Sequence, residues 1–175
     1  MSNIISRHPI LYLLLLAFAF VPKLSWAANN CPGAAVTATA FAFGPYDSVS
    51  GAAVTSSATI TVTCNGGNAD PIISIQLNAG LNSAGSFNPR VMKSTTSTDT
   101  LNYNLYVNTT YIAANIWGDG TSGTQDPGGT TSGVNAANTL VKTVNGQIPA
   151  NQDPSGACPA TPCTYNDTVT ITVNF

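Results

Sequence analysis

The sequence predicts an all-β domain built as a β-sandwich, and three observations carry that prediction. Charged side chains make up only 7% of the 175 residues, and Thr, Ser, Asn and Gly fill the polar positions. Short stretches rich in β-branched residues alternate apolar with polar side chains, the period of a half-buried strand. After Ala27, apolar spacing nowhere holds the 3.6-residue period through three helical turns.

Taken in order, the first stretch is Ala35 to Phe43, where Val36, Ala38, Ala40 and Ala42 alternate with Thr37, Thr39, Phe41 and Phe43 before a turn at Gly44-Pro45. Ala58 to Cys64 follows, with Ile60, Val62 and Cys64 on one side and Thr59, Thr61 and Thr63 on the other. Pro71 to Leu77 sets Ile73, Ile75 and Leu77 against Ser74 and Gln76. Further strands are predicted at Arg90 to Ser94, Leu101 to Val107, Tyr111 to Trp117, Leu140 to Gln147 and Asp167 to Phe175. Strands of this length and spacing suit a sandwich. The segment Gly118 to Ala137 is rich in Gly, Thr, Ser and Asp, which predicts a solvated loop or flexible tip. With no repeat and no linker, one domain is expected.

The beginning of the chain addresses it for export. Arg7 and His8 precede an apolar run from Ile10 to Val21, and Ser25-Trp26-Ala27 supplies small residues for a signal peptidase. The run is shorter than the roughly 20 apolar residues of a membrane span, so a cleaved signal over 1–27 is expected and no stable membrane anchor. Residues 28–175 then form the mature domain. Cleavage removes the single histidine and leaves Arg90, Lys93 and Lys142 against seven aspartates, three minus seven giving a formal charge of −4. So few cations cannot neutralise a phosphate backbone, which argues against nucleic acid as a partner.

Four cysteines in an exported chain point to two disulfides, with three pairings possible. Cys158 and Cys163 enclose Pro-Ala-Thr-Pro, a spacing a local bridge can close, which would leave Cys31 with Cys64. With no histidine after cleavage and no Cys-x-x-Cys, a metal site is not expected, nor is any cofactor. No catalytic constellation is visible. A nucleophile lacks a histidine to activate it. Asp119 and Asp126 are the candidate carboxylate pair for glycoside hydrolysis or for calcium, but they sit in the Gly-rich segment in no EF-hand spacing.

The last nine residues alternate without a fault. Val169, Ile171, Val173 and Phe175 share one face, and Thr168, Thr170, Thr172 and Asn174 the other. This stretch is expected to form an edge that accepts another chain's strand.

Several segments together resemble one family. They are Phe43-Gly44-Pro45-Tyr46-Asp47, Ile60-Thr61-Val62-Thr63-Cys64, Arg90-Val91-Met92, Leu101-Asn102-Tyr103-Asn104-Leu105-Tyr106, Trp117-Gly118-Asp119-Gly120, Gly146-Gln147-Ile148-Pro149-Ala150 and the ending Asp167 to Phe175. In this order they look like the spore coat protein U family, which includes subunits of archaic chaperone–usher pili. The pair Cys158 and Cys163 departs from the pattern, standing where a shorter connection is usual. The resemblance implies an immunoglobulin-like sandwich lacking its last strand and completed by a donor strand. It also implies a periplasmic chaperone, an outer-membrane usher and other pilin-like subunits as partners, and delivery through the periplasm to a surface pilus or coat.

Cleavage after Ala27 would leave only Ala28, Asn29 and Asn30 ahead of Cys31. Three residues are too few to donate a strand, so a tip or capping subunit serving adhesion and biofilm formation is expected. Trp117, Tyr103, Tyr106 and Tyr111 are candidates for stacking on sugars, with burial in the core as the competing reading. The rival functions are a self-contained carbohydrate-binding sandwich and, more remotely, an exported carboxylate-dependent hydrolase.

Overall fold

The computed structural model describes residues 15–16, 31, 33–48, 51–65, 71–131, 137–153 and 163–175. In chain order its elements are β1 (Leu15–Leu16), β2 (Ala35–Ala38), β3 (Phe41–Ala42), β4 (Val54–Asn65), β5 (Pro71–Ile72), β6 (Ser74–Leu77), β7 (Arg90–Ser94), β8 (Thr100–Tyr106), a 3₁₀ turn (Ala113–Asn115), β9 (Gly129–Thr130), β10 (Ala137–Ile148), β11 (Tyr165–Asn166) and β12 (Ile171–Asn174). Among the described residues no helix is long and apolar enough to cross a membrane.

The chain folds as a β-sandwich. One layer is a six-stranded sheet in the order β11-β7-β8-β10-β4-β2, and the other carries the pairs β12-β6 and β5-β9. β4 and β10 form the spine, antiparallel from Val54↔Ile148 to Asn65↔Ala137. The reason lies in β4's alternation: Ala58, Ile60, Val62 and Cys64 are buried, while Thr59, Thr61 and Thr63 turn outward. Facing them across the interior are Ile75 and Leu77 of β6, then Val169 and Ile171. Each fully buried side chain of this size contributes on the order of 1.5–3 kcal/mol. A disulfide joins Cys31 to Cys64, tying the segment before β2 to the end of β4. Cys163 is also disulfide-bonded, whereas Cys158, like most of the expected signal segment and its cleavage point, lies outside the described residues.

Four expectations need correction. Tyr111 to Trp117 is not a strand: residues 113–115 form the 3₁₀ turn, and Ile116 and Trp117 make only isolated bridges to Tyr106 and Gln125. Asn108 bends the chain there, its side-chain oxygen accepting from the Thr110 amide at 2.8 Å and from the Asn115 side chain at 3.1 Å. The stretch Ala35 to Phe43 breaks at Thr39 and Ala40, which resets its phase. Val36 and Ala38 before the break and Phe41 and Phe43 after it all pack on the core.

Pro71 to Leu77 breaks at Ile73, which is 69% exposed while Ile72, Ile75 and Leu77 are buried. Gly128 causes this by running directly against the carbonyls of Ile72 and Ile73, leaving no room for a Cβ. Asp167 to Phe175 is not one continuous strand either: the ladder to β6 covers Ile171–Asn174, and Thr168 makes a separate bridge.

The Gly-rich segment is more ordered than its composition suggests. Gly129–Thr130 forms β9 against β5, and Thr131 is buried. Gly118 and Pro127 accept hydrogen bonds from the β6 amides of Leu77 and Ile75 at 2.9 and 3.1 Å. Residues 132–136 lie outside the described set.

Candidate functional site

The predicted acceptor edge begins with β12 and its partner. β12 runs antiparallel to β6 with Ile171↔Leu77 and Val173↔Ile75 opposed. Ile75 and Leu77 give their amides to the loop on the other side of β6. Their opposites, Ile171 and Val173, therefore occupy non-hydrogen-bonded pairs and turn their own backbone groups to the outer edge of β12. Among the described residues no strand pairs with that outer edge. Of the predicted face, Val169 and Ile171 are buried, while Val173 and Phe175 are half-buried.

A second edge belongs to β3. Its partner is β1, antiparallel with Leu15↔Ala42 and Leu16↔Phe41. β1 also lies against β11, the strand that leads into the β12 run. β3 is held from below by its aromatic residues. The rings of Phe41 and Phe43 pack at a tilt, their centroids 4.9 Å apart, and both rest where Gly146 of β10 has no side chain.

A buried polar hub fixes the approach to β12. Arg90 opens β7 on the same side as Met92 and Ser94, so the strand's alternation carries it inside, where it is 0% exposed. Its Nε and Nη2 donate to the Asn78 carbonyl at 3.1 and 2.9 Å, Nη2 also to the Trp117 carbonyl at 2.6 Å, and Nη1 to Asn104 Oδ1 at 2.8 Å. Burial pulls this guanidinium down to about 10, against the favourable field of Tyr103, Asp167 and Asp119. Asn78 in turn accepts from the Thr170 amide at 2.9 Å, one residue before β12.

Asp167 is the hub's other arm. It accepts the Tyr103 hydroxyl at 2.8 Å, the Leu81 amide at 2.9 Å and the Asn82 side chain at 2.9 Å. Burial first, then the neighbouring Asp167, pushes the Tyr103 phenol well above its ordinary value. Gly80, at φ +88°, leaves the space that the Asp167 carboxyl fills.

The remaining sequence candidates separate from this edge. Asp126 accepts from Gln76 Nε2 at 3.3 Å. At Asp119, slight burial pushes its pKa up, but hydrogen bonds from the Thr121 hydroxyl and amide hold it below the usual value. That is the opposite of what a general acid requires. Among the described residues no group of three or more His, Cys, Asp or Glu converges as a metal site. Trp117, Tyr103 and Tyr106 are core residues, Trp117 giving its indole N–H to the Ile75 carbonyl at 2.7 Å. Tyr111 packs edge-on against Tyr106 at 5.2 Å.

Sequence reasoning did not single out Arg90 and Asp167. The i, i+2 pattern that places Arg90 beside Met92 and Asp167 beside Val169 was the available signal, overridden by the habit of keeping charge outside.

No curated protein matches the chain. Residues 19–172 match the sequence profile of the Spore Coat Protein U domain, whose members are structural subunits of pili and coats rather than enzymes. This two-layer sandwich therefore belongs to the Spore Coat Protein U domain family.

Proposed function

We propose that this chain is a subunit of a chaperone–usher surface pilus or coat, completed by a strand that another chain lends. A periplasmic chaperone supplies the strand first, a neighbouring pilin-like subunit replaces it, and an outer-membrane usher delivers the product to the cell surface. The observation that carries this reading is the pairing of β3 with β1, which comes from the apolar N-terminal segment. Removing residues 1–27 takes β1 away and opens the β3 edge beside the β12 run. Val169, Ile171, Val173 and Phe175 then line the acceptor. A lent strand gains backbone hydrogen bonds from the bare edges, and its alternate side chains fill the gap in the apolar interior.

Within that reading the chain accepts a strand but gives none, because Ala28 to Asn30 cannot span a neighbour's groove after cleavage at Ala27. It occupies the tip or caps the assembly and serves adhesion and biofilm formation there. The test is periplasmic expression of residues 28–175 without a chaperone. Aggregation, degradation or polymerisation is expected, with rescue by a co-expressed chaperone or by a peptide of alternating apolar residues. A soluble, stable monomer that ignores both would instead fit a self-contained sandwich.

A further inference from the structure

Away from the acceptor edge lies a cavity of about 290 Å³, lined by Gly85, Ser86, Phe87, Asn88, Ala113, Ile116, Ser122 and Thr124. The volume stands at the lower end of the roughly 300–1,000 Å³ of small-molecule sites, enough for a single sugar ring. No charged side chain lines it. Phe87 is half-exposed and backed by Arg90, whose Cζ sits 5.3 Å from the ring centroid. Among the described residues, the exposed side chains of Asn88 and Ser122 have no hydrogen-bond partner within the protein.

The walls are fixed before any ligand arrives. Asn104 links Arg90 to the Phe87 carbonyl, donating to it at 2.8 Å. Thr124 gives its hydroxyl to Thr121 O at 2.7 Å, and Gln125 donates its amide to Ile116 O at 2.8 Å and its side chain to Ala114 O at 2.7 Å. The Phe87 and Thr124 walls therefore lose little freedom on binding, and the ordering cost falls on Asn88 and Ser122.

The geometry points to a binding site for one neutral sugar residue, with Phe87 under its C–H face and Asn88 and Ser122 meeting its hydroxyls. An aromatic ring beside uncharged amide and hydroxyl groups suits a polyol with apolar faces better than an ion or a lipid chain. The site is separate from strand exchange. The Gly118–Pro127 loop that carries Ser122 and Thr124 bonds to the edge of β6 opposite β12. A strand added at β12 leaves the cavity uncovered, so in an assembly of the kind proposed above the sugar site stays open on the flank.

The test uses the full mature chain held soluble by the alternating apolar peptide, and the chain alone should it stay soluble without one. Methyl glycosides of glucose, galactose, mannose and N-acetylglucosamine are titrated by amide NMR, with N-acetylneuraminic acid as the charged comparison. Saturable shifts at Phe87, Ser122 and Thr124 but not at β12 are expected for at least one neutral glycoside. Phe87→Ala should bind about tenfold more weakly, and Ala113→Trp, which fills the cavity from an exposed position, should abolish the shifts. Absence of saturation by every neutral glycoside, binding unchanged in both variants, or a preference for the charged sugar would each overturn the assignment.

Discussion

Arg90 holds together three segments that the sequence keeps apart: the loop at Asn78, the bridge residue Trp117 and strand β8 at Asn104. Truncating it leaves the buried Trp117 carbonyl and the partly buried Asn78 carbonyl without donors, while Asn104 Oδ1 keeps the Leu105 amide at 2.9 Å, and each unmet buried group costs about 1–3 kcal/mol. Arg90→Ala is therefore expected to lose at least about 2 kcal/mol in urea unfolding. Arg90→Lys should recover only part of this, because an ammonium cannot reproduce the planar fork. Tyr103 and Asp167 give a second residue-level prediction. Tyr103→Phe removes the hydroxyl that one Asp167 oxygen accepts, at a cost of about 1–3 kcal/mol.

The pH dependence of that pair has a definite sign. In the unfolded chain tyrosine loses its proton near pH ~10. In the fold, burial and Asp167 raise the Tyr103 value, so the stability this phenol lends is present below that pH and is lost as pH climbs toward the folded value. Arg90 acts oppositely. Its folded value of about 10 lies below its ordinary one, so its burial penalty eases as pH rises past that point. The stability gap between wild type and Tyr103→Phe isolates the tyrosine and should narrow above pH ~10. A gap that stays constant would show that the phenol is not the titrating group.

At the scale of elements, strand β4 and strand β7 were legible because a strict alternation meets a two-layer interior. Ile60, Val62 and Cys64 face inward as their spacing requires, and Arg90–Ser94 has the predicted bounds. What alternation could not show was where a strand changes phase. The resets at Thr39–Ala40 and Ile73 come from distant partners: Gly146 makes room for Phe41, and Gly128 presses on the β5–β6 junction. Neither residue is near its effect in the chain. The burial of the C-terminal alternation was legible in the same limited way. Val169 and Ile171 sit inside, but the pairing that makes an edge depends on β6 and β3, which the ending alone does not specify.

Gly146→Ala tests the β3 contact. The added methyl would overlap the Phe41 and Phe43 rings, so a loss of about 1–3 kcal/mol is expected from overpacking. The Cys31–Cys64 bridge closes a span of 33 residues between the start of β2 and the end of β4. A chain-entropy treatment assigns such a loop about 3–4 kcal/mol. The double variant Cys31→Ala, Cys64→Ala should lower the unfolding free energy by about that amount while leaving the β-sheet circular dichroism unchanged.

For the whole molecule, the chain is a low-charge sandwich in the Spore Coat Protein U domain family, and the proposed function places its activity at the sheet edges. The proposed sites of strand addition are the β3 edge, bound to β1, and the outer backbone groups of Ile171 and Val173. Amide hydrogen exchange on residues 28–175 complexed with a peptide of alternating apolar residues, followed as dilution releases the peptide and before aggregation sets in, tests this most directly. Phe41, Ile171 and Val173 are expected to be protected together in the complex and to lose that protection together as the peptide leaves. Protection of these amides that persists unchanged after the peptide has left would contradict the account.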